Sequence, residues 1–505
     1  MDSQHESREF IKWFMFKRLF FLVLSTLLPL FSGLAEIPVE PIKIGFEPQY
    51  FVDDFIVDNR WGNKQKRAMV LRDFHQAKKH EANPLIPKEG GYVCVTRDPE
   101  SGKFKLWYQK SHVPPKAGDK LPRAIYGIGY AESDDGIRWT LPKIGDYDWL
   151  GSKENNIVWK GPAGRRASGQ QILTVPEKDR RGFKYVMTYR TGGNDPKDSG
   201  IRVIGSQDGI HWDRKSDTFL SLVHSDTNNG IVYDEKHKEY VMFCRAKDRY
   251  RASGSDEMID LGASRRIARM SHSNLWEEWH TKPQTILNPD ALDAADNFNA
   301  FYGMPAKYHA GIYWCSLWVF RFNDNIYTEL VTSRDGFHLE RAPIRQPLIA
   351  FGEEDAWDSY MIFGSPDWVE VGDEWWIYYA GWDGPHGTQE RTPGIGLAKI
   401  RKGGFVSLRG PKGGGGVVTR ELIWPGGDLH VNANATEGEL KVRISGDKRK
   451  PLEGFDYADS SAITTDSTNH VIRWGDRSLD ELKGQSVRIE FSLRDADLFS
   501  FEARK

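Results

Sequence analysis

A short segment recurs along this chain, and it constrains the fold more than any other feature. Ser133-Asp134-Asp135-Gly136-Ile137-Arg138-Trp139, Ser206-Gln207-Asp208-Gly209-Ile210-His211-Trp212 and Ser333-Arg334-Asp335-Gly336-Phe337-His338-Leu339 all read Ser-x-Asp-Gly, then apolar, polar, apolar. Asp-Gly suits a tight turn, because glycine tolerates positive φ and the aspartate binds nearby amides. Gly136 to Gly209 spans 73 residues, and Gly209 to Gly336 spans 127, close to twice 64. A degenerate copy falls in the gap (Ser271-His272-Ser273-Asn274, with Trp276 and Trp279), and a last one, Lys402-Gly403-Gly404-Phe405, follows Gly336 by 68 residues. A fixed period of this size marks a repeat architecture.

An aromatic-rich strand precedes each turn: Phe104–Tyr108, Phe183–Met187, Tyr240–Phe243, Ile312–Cys315 and Trp375–Tyr379. Before each lies a further apolar stretch: Tyr92–Val95, Gln171–Val175, Gly230–Tyr233, Phe301–Met304 and Met361–Phe363. Each unit therefore reads as three or four short strands joined by polar turns, without long helical periodicity. Five such units predict an all-β chain built on a five-bladed β-propeller over 45–408. Cys94, Cys244 and Cys315 fall in the expected inner strands and read as packing residues. Past Phe405 the texture changes. A glycine run, Gly413–Gly416, is followed by alternating apolar and polar stretches, and these predict a C-terminal β-sandwich over 417–505.

Composition removes several classes. There are 69 Lys+Arg against 71 Asp+Glu, a net charge of −2 that leaves no basic footprint for nucleic acid. Three cysteines exclude a disulfide framework, and their spacing supports no zinc site. Residues 1–35 carry Lys17 and Arg18, an apolar run from Leu19 to Phe31, and Ser32-Gly33-Leu34-Ala35. That order is the pattern of a secretory signal, so the expectation is a secreted or periplasmic protein with no stable membrane insertion after cleavage.

The chain resembles the superfamily of five-bladed propeller glycoside hydrolases, near families 32 and 43 and their secreted relatives. The resemblance is carried by His80-Glu81-Ala82-Asn83-Pro84, by Gly90-Gly91-Tyr92-Val93, by Tyr50-Phe51-Val52-Asp53-Asp54-Phe55-Ile56 and by Gly404-Phe405-Val406-Ser407-Leu408. It implies a glycosidase acting on an oligo- or polysaccharide with a carboxylate pair and no redox cofactor, with calcium left open. The sequence also departs from family 32. That family's Asn-Asp-Pro-Asn-Gly stretch is here Pro87-Lys88-Glu89-Gly90-Gly91, and its Arg-Asp-Pro and Glu-Cys-Pro motifs are missing. Fructan chemistry is therefore not inherited.

Glycoside hydrolysis needs two carboxyl groups across the scissile bond. In a propeller the starts of the inner strands line one mouth, so the candidates are acids just upstream of them: Glu89, Asp226, Asp296 and Asp358. Trp357, Tyr360, Trp382 and Arg245 are candidate sugar contacts, since aromatic faces stack on pyranose C–H surfaces. The second unit offers Arg165, Arg166 and Ser168 instead of an acid, a set suited to an acidic or sulfated sugar. Asp53 and Asp54 lie in an opening strand expected either to close the ring on the last blade or to face the mouth. Two other functions stay open, a non-catalytic carbohydrate-binding propeller and a sialidase-like exo-hydrolase to which Arg190 and Arg245 would contribute.

Overall fold

The computed structural model describes residues 40–60, 69–114, 124–162, 166–192, 200–223, 225–246, 265–365, 367–388 and 390–505, with the backbone of 249–251 and 258–260. The expected export signal, Arg165 and His224 lie outside the described residues. The fold is all-β, with Ala291–Ala295 the one α-helix among the described residues. No helix among them is long and apolar enough to cross a membrane.

Five antiparallel blades follow one another. Blade 1 runs from the inner strand Val93–Arg97 through Phe104–His112 and Ile125–Ser133 to the outer Ile157–Trp159. Blade 2 comprises Arg166–Ile172, Tyr185–Gly192, Gly200–Ser206 and Thr218–Ser221. Blade 3 comprises Gly230–Asp234, Glu239–Ala246, Arg266–His272 and Gln284–Leu287. Blade 4 starts with an inner strand split into Phe298–Gly303 and Ala306–His309, followed by Ile312–Arg321, Ile326–Ser333 and Glu340–Arg341. Blade 5 starts with Met361–Gly364 and Val369–Val371, followed by Glu374–Trp382 and Pro393–Arg401. Its outer position is filled from the beginning of the chain, by Lys78–Lys79 and Ile86–Pro87. That pairing closes the ring and removes an open sheet edge.

The recurring turns weld neighbouring blades. In each, the aspartate accepts two amides ahead of it, as Asp208 Oδ1 does from Ile210 and His211, both at 2.8 Å. Positive φ at Gly136, Gly209 and Gly336 completes the bend. The turn carbonyl then docks on the preceding blade: Trp107 Nε1 donates to Gly209 O at 2.8 Å, and the Tyr378 hydroxyl to Gly136 O at 2.8 Å. A second set of links runs the other way. Asp98, Asp179 and Asp234 accept the hydroxyls of Tyr185, Tyr240 and Tyr313 from the next blade. The cysteines are all buried, but only Cys94 is on an inner strand; Cys244 and Cys315 are on second strands.

The sandwich begins earlier than expected and takes in the start of the chain. Gln49–Tyr50 and Val406–Gly410 pair with Ala496–Arg504, and Leu71–Phe74 extends that sheet beyond Val406–Gly410. Val57–Asn59 pairs with Gly415–Thr419, and Ile42–Lys43 with Leu422–Ile423 in the other sheet. Phe51, Ile56, Trp424, Phe491 and Phe501 fill the core between the sheets. The segment carrying Asp53 and Asp54 therefore belongs to the sandwich. Asp53 is held there by Arg334 (2.6 Å) and Asp54 by Arg60 (3.1 Å), so neither faces the mouth.

Candidate functional site

All four candidate acids lie at the end of the propeller where the inner strands begin, and each is met by a cation. Lys110 donates to Glu89 and Arg245 to Asp226. Arg321 Nε donates to Asp296 at 2.9 Å, and Lys79 Nζ lies 2.6 Å from Asp358.

Three of these pairs share one geometry. Phe298 sits opposite Arg321 in the ladder, two residues past Asp296. Extending the pairing of Gly230 with Phe243 puts Arg245 opposite Asn228, two residues past Asp226. Extending that of Val93 with Tyr108 puts Lys110 opposite Gly91, two residues past Glu89. In blades 1, 3 and 4 a base ending the second strand thus neutralises an acid placed just before the inner strand. Blade 2 repeats the frame with different chemistry. Arg190 sits opposite Ser168, and two residues earlier stands Arg166 rather than an acid.

Blade 5 breaks the frame. Asp358 is 2 % exposed and turned inward, where the Tyr379 hydroxyl donates to it at 2.8 Å beside Lys79. Lys79 belongs to the ring-closing strand, so this pair pins the closure. Trp357 stacks on Tyr379 with centroids 5.5 Å apart, and a Cβ on Gly394 or Gly396 would meet its ring within 2.8 Å. Asp358 was expected at the mouth with Trp357 as a sugar contact; the structure buries Asp358 and packs the half-buried Trp357 against blade 5.

The axial side of the mouth is lined by aromatic and cationic groups. Tyr92 is buried and stacks on Trp318, centroids 5.3 Å apart. Trp318 is itself core, donating Nε1 to Gly364 O at 3.2 Å. Arg245 is fully engaged: its guanidinium binds Asp226, donates Nε and Nη2 to Tyr302 O at 3.0 and 2.6 Å, and lies 4.6 Å from the Tyr302 ring centroid. It positions Asp226 rather than offering a free hand to a sugar. The Tyr302 hydroxyl meets His386 Nε2 at 3.0 Å, and Arg391 Nη1 donates to His386 O at 2.6 Å. Trp382 is half-buried against Phe363, and Tyr360 is exposed on the rim between blades 4 and 5.

Electrostatics tie these groups together. Burial pushes the Tyr92 phenol well above its ordinary value, with Tyr302 and Asp226 adding to it, so it stays protonated and a donor. Burial lowers Arg190, which also feels Asp226, Arg166 and Arg245. Burial lowers Arg391 as well, within reach of the Tyr302, Tyr126 and Tyr92 phenols. His386 is lowered to about 4 by burial, then by Arg391 and Arg265, and is neutral at pH 7. Asp296 stands apart, with Arg321 and Tyr327 as its neighbours. Among the described residues no group of three or more His, Cys, Asp or Glu is placed to hold a metal. Of the mouth bases, Arg190 and Arg245 were named from the sequence, whereas Lys110 and Arg321 were missed. Their shared signal is that aromatic second strands close on Lys110, Arg190, Arg245 and Arg321 in their ladders.

No family model matches the sequence, and no curated protein does. Solved structures do. A β-1,2-mannobiose phosphorylase from Listeria innocua aligns over 65 % of this chain and 97 % of its own, at 11 % identity and a TM-score of 0.46. A xylan β-1,4-xylosidase from Bacillus halodurans aligns over 84 % and 99 %, at 11 % identity and 0.42. The arabinanase Arb43A of Bacillus subtilis aligns over 65 % and 97 %, at 9 % identity and 0.37.

Proposed function

We propose that the chain is a glycoside hydrolase that cleaves an oligo- or polysaccharide at the propeller mouth, with Asp226 and Glu89 as its two carboxyl groups. The observation that carries this reading is their equivalence. Both stand two residues before the residue facing a mouth base, on blades 1 and 3, on either side of the cationic blade 2. Asp226 is also the carboxylate sensed by Tyr92 and Arg190 on the axial wall. In such a pair one group protonates the departing glycosidic oxygen. The other takes a proton from the incoming water, or attacks the anomeric carbon itself before water releases the sugar. Tyr360 and Trp382 supply the aromatic surface that a pyranose needs.

A second reading, a non-catalytic carbohydrate-binding propeller, is favoured by one observation: every candidate acid already has a cation on it. Asp226→Asn and Glu89→Gln separate the two. Screened against plant and algal polysaccharides, the wild-type protein releases sugar. Each variant cuts turnover by at least roughly a hundredfold, the order of a lost general acid or base, while still binding the same glycan and melting normally. Wild-type turnover in both variants defeats the assignment, and binding without any wild-type turnover makes the protein a lectin.

A further inference from the structure

Blade 2 places two guanidinium groups where its neighbours place an acid and a base. Arg166 and Arg190 flank Gly192: a Cβ built there would lie 3.1 Å from Arg190 Nη1 and 3.6 Å from Arg166 Cδ. Arg166 lies over the Tyr126 ring, 3.9 Å from its centroid, which fixes the plane of the group. Its Nε is buried and has no hydrogen-bond partner. Among the described residues, no carboxylate forms an ion pair with either arginine, whereas the matching bases Lys110, Arg245 and Arg321 all have one. Two like charges held together in half-buried positions repel each other unless an anion joins them.

The geometry points to a dedicated subsite: Arg166 and Arg190 receive an oxyanion carried by the substrate sugar, a uronate carboxylate or a sulfate ester. Planar guanidiniums grip such groups bidentately, which an ammonium cannot do. Burial lowers the affinity of Arg190 for its proton, and Arg166 and Arg245 oppose the charge that Asp226 favours. Arg391, half-buried, bonded to the carbonyls of Pro385 and His386 and within reach of the Tyr126 phenol, adds to the positive field. This assignment rests on the mouth being the sugar site, and it adds the substrate class. The acid and the anion hook then sit on adjacent blades: Asp226 on blade 3 acts at the scissile bond, and blade 2 selects the residue that carries the charge.

The test uses the full chain on a glycan array that holds neutral, uronate-bearing and sulfated oligosaccharides, followed by turnover assays on every glycan retained. The expected result is retention of anionic glycans only. Removing one charge-assisted contact by Arg190→Gln or Arg166→Gln weakens binding roughly 10- to 100-fold, and Arg190→Lys rescues it only in part. The melting temperature of either Gln variant without ligand is unchanged or higher, because a like-charge repulsion is gone. Carboxyl reduction or desulfation of the retained glycan abolishes binding and identifies which anion is read. Retention and cleavage of neutral glycans, insensitive to both variants, overturns the anion subsite and leaves the hydrolase standing. Anionic glycans bound but never cleaved keep the subsite and remove the hydrolase. Turnover that requires added inorganic phosphate places a free anion between the arginines and overturns a sugar-borne one.

Discussion

Replacing Asp358 by Ala tests whether that residue is part of the closure of the ring. The carboxylate is 2 % exposed, lies 2.6 Å from Lys79 Nζ and accepts the Tyr379 hydroxyl at 2.8 Å. Truncation leaves the ammonium without its counter-charge in a site that solvent reaches poorly. Removing one partner of a buried ion pair costs about 3–5 kcal/mol. The Lys79 side chain keeps 26 % of its exposure, which puts the loss near the lower figure, about 3 kcal/mol. An unfolding entropy of about 2.1 cal/mol/K per residue, over the roughly 320 residues between Lys78 and Arg401, gives about 0.7 kcal/mol/K and a melting temperature lowered by about 4 °C. The assay is a calorimetric or circular-dichroism melt. The double variant Lys79→Met with Asp358→Leu recovers most of the loss, because the charge that was stranded is gone with its partner. Glycan binding at the mouth is retained in both. The reasoning is refuted if Asp358→Ala melts like wild type while sugar turnover disappears, since that result returns Asp358 to the chemistry.

Two further outcomes follow from the same structure. Gly169 has φ +59 and a Cβ there would stand 2.8 Å from the Thr227 carbonyl of blade 3, so Gly169→Ala lowers stability by about 1–3 kcal/mol in a chemical melt; an unchanged midpoint shows that the hub is looser than described. Acid unfolding proceeds in two phases. His309 and His386, both held to about 4 by burial, bind protons in the unfolded chain before the folded one, so stability falls as pH drops from about 6.5 to 4. Asp135, held near 2 by the Arg138 and Ile137 amides against burial, contributes stability that is present above about 4 and is lost as pH falls through about 2. Melts from pH 7 to 2 read both phases: His309→Gln flattens the upper one and Asp135→Asn the lower, and a slope unmoved by either variant contradicts the assignment.

The blades were legible because their signals are local. Ser-x-Asp-Gly carries a whole turn within four residues, and its period counts the units before any pairing is known. The ring closure was not legible. Lys78–Lys79 and Ile86–Pro87 are two residues each, with no alternation to read, and the partner strand Pro393–Arg401 lies more than three hundred residues away. The opening strands misled for the same reason. Gln49–Tyr50 and Val57–Asn59 have no pattern of their own that separates a blade edge from a sandwich edge. What decides is the apolar face they help to cover, where Phe51 and Ile56 insert between Phe491, Phe501 and Leu422.

The mouth shows a different limit. Proximity to the start of an inner strand found Glu89, Asp226, Asp296 and Asp358 alike, but proximity does not say which way a side chain turns. Asp358 has the same sequence position as the others and a different fate, because the residue opposite its frame is not a base and Lys79 arrives from the other end of the chain. Register decides the rest. Once the strands are paired, the acid before each inner strand and the base closing the second strand fall into one frame on three blades. On blade 2, Arg166 replaces the acid, two residues before Ser168, which faces Arg190. The sequence singles out Arg166 because its equivalents carry an acid, and the paired strands add Arg190 beside it. The proposed anion subsite therefore rests on a substitution of sign at one position of a repeated frame, which periodicity locates and the paired strands set beside a second guanidinium.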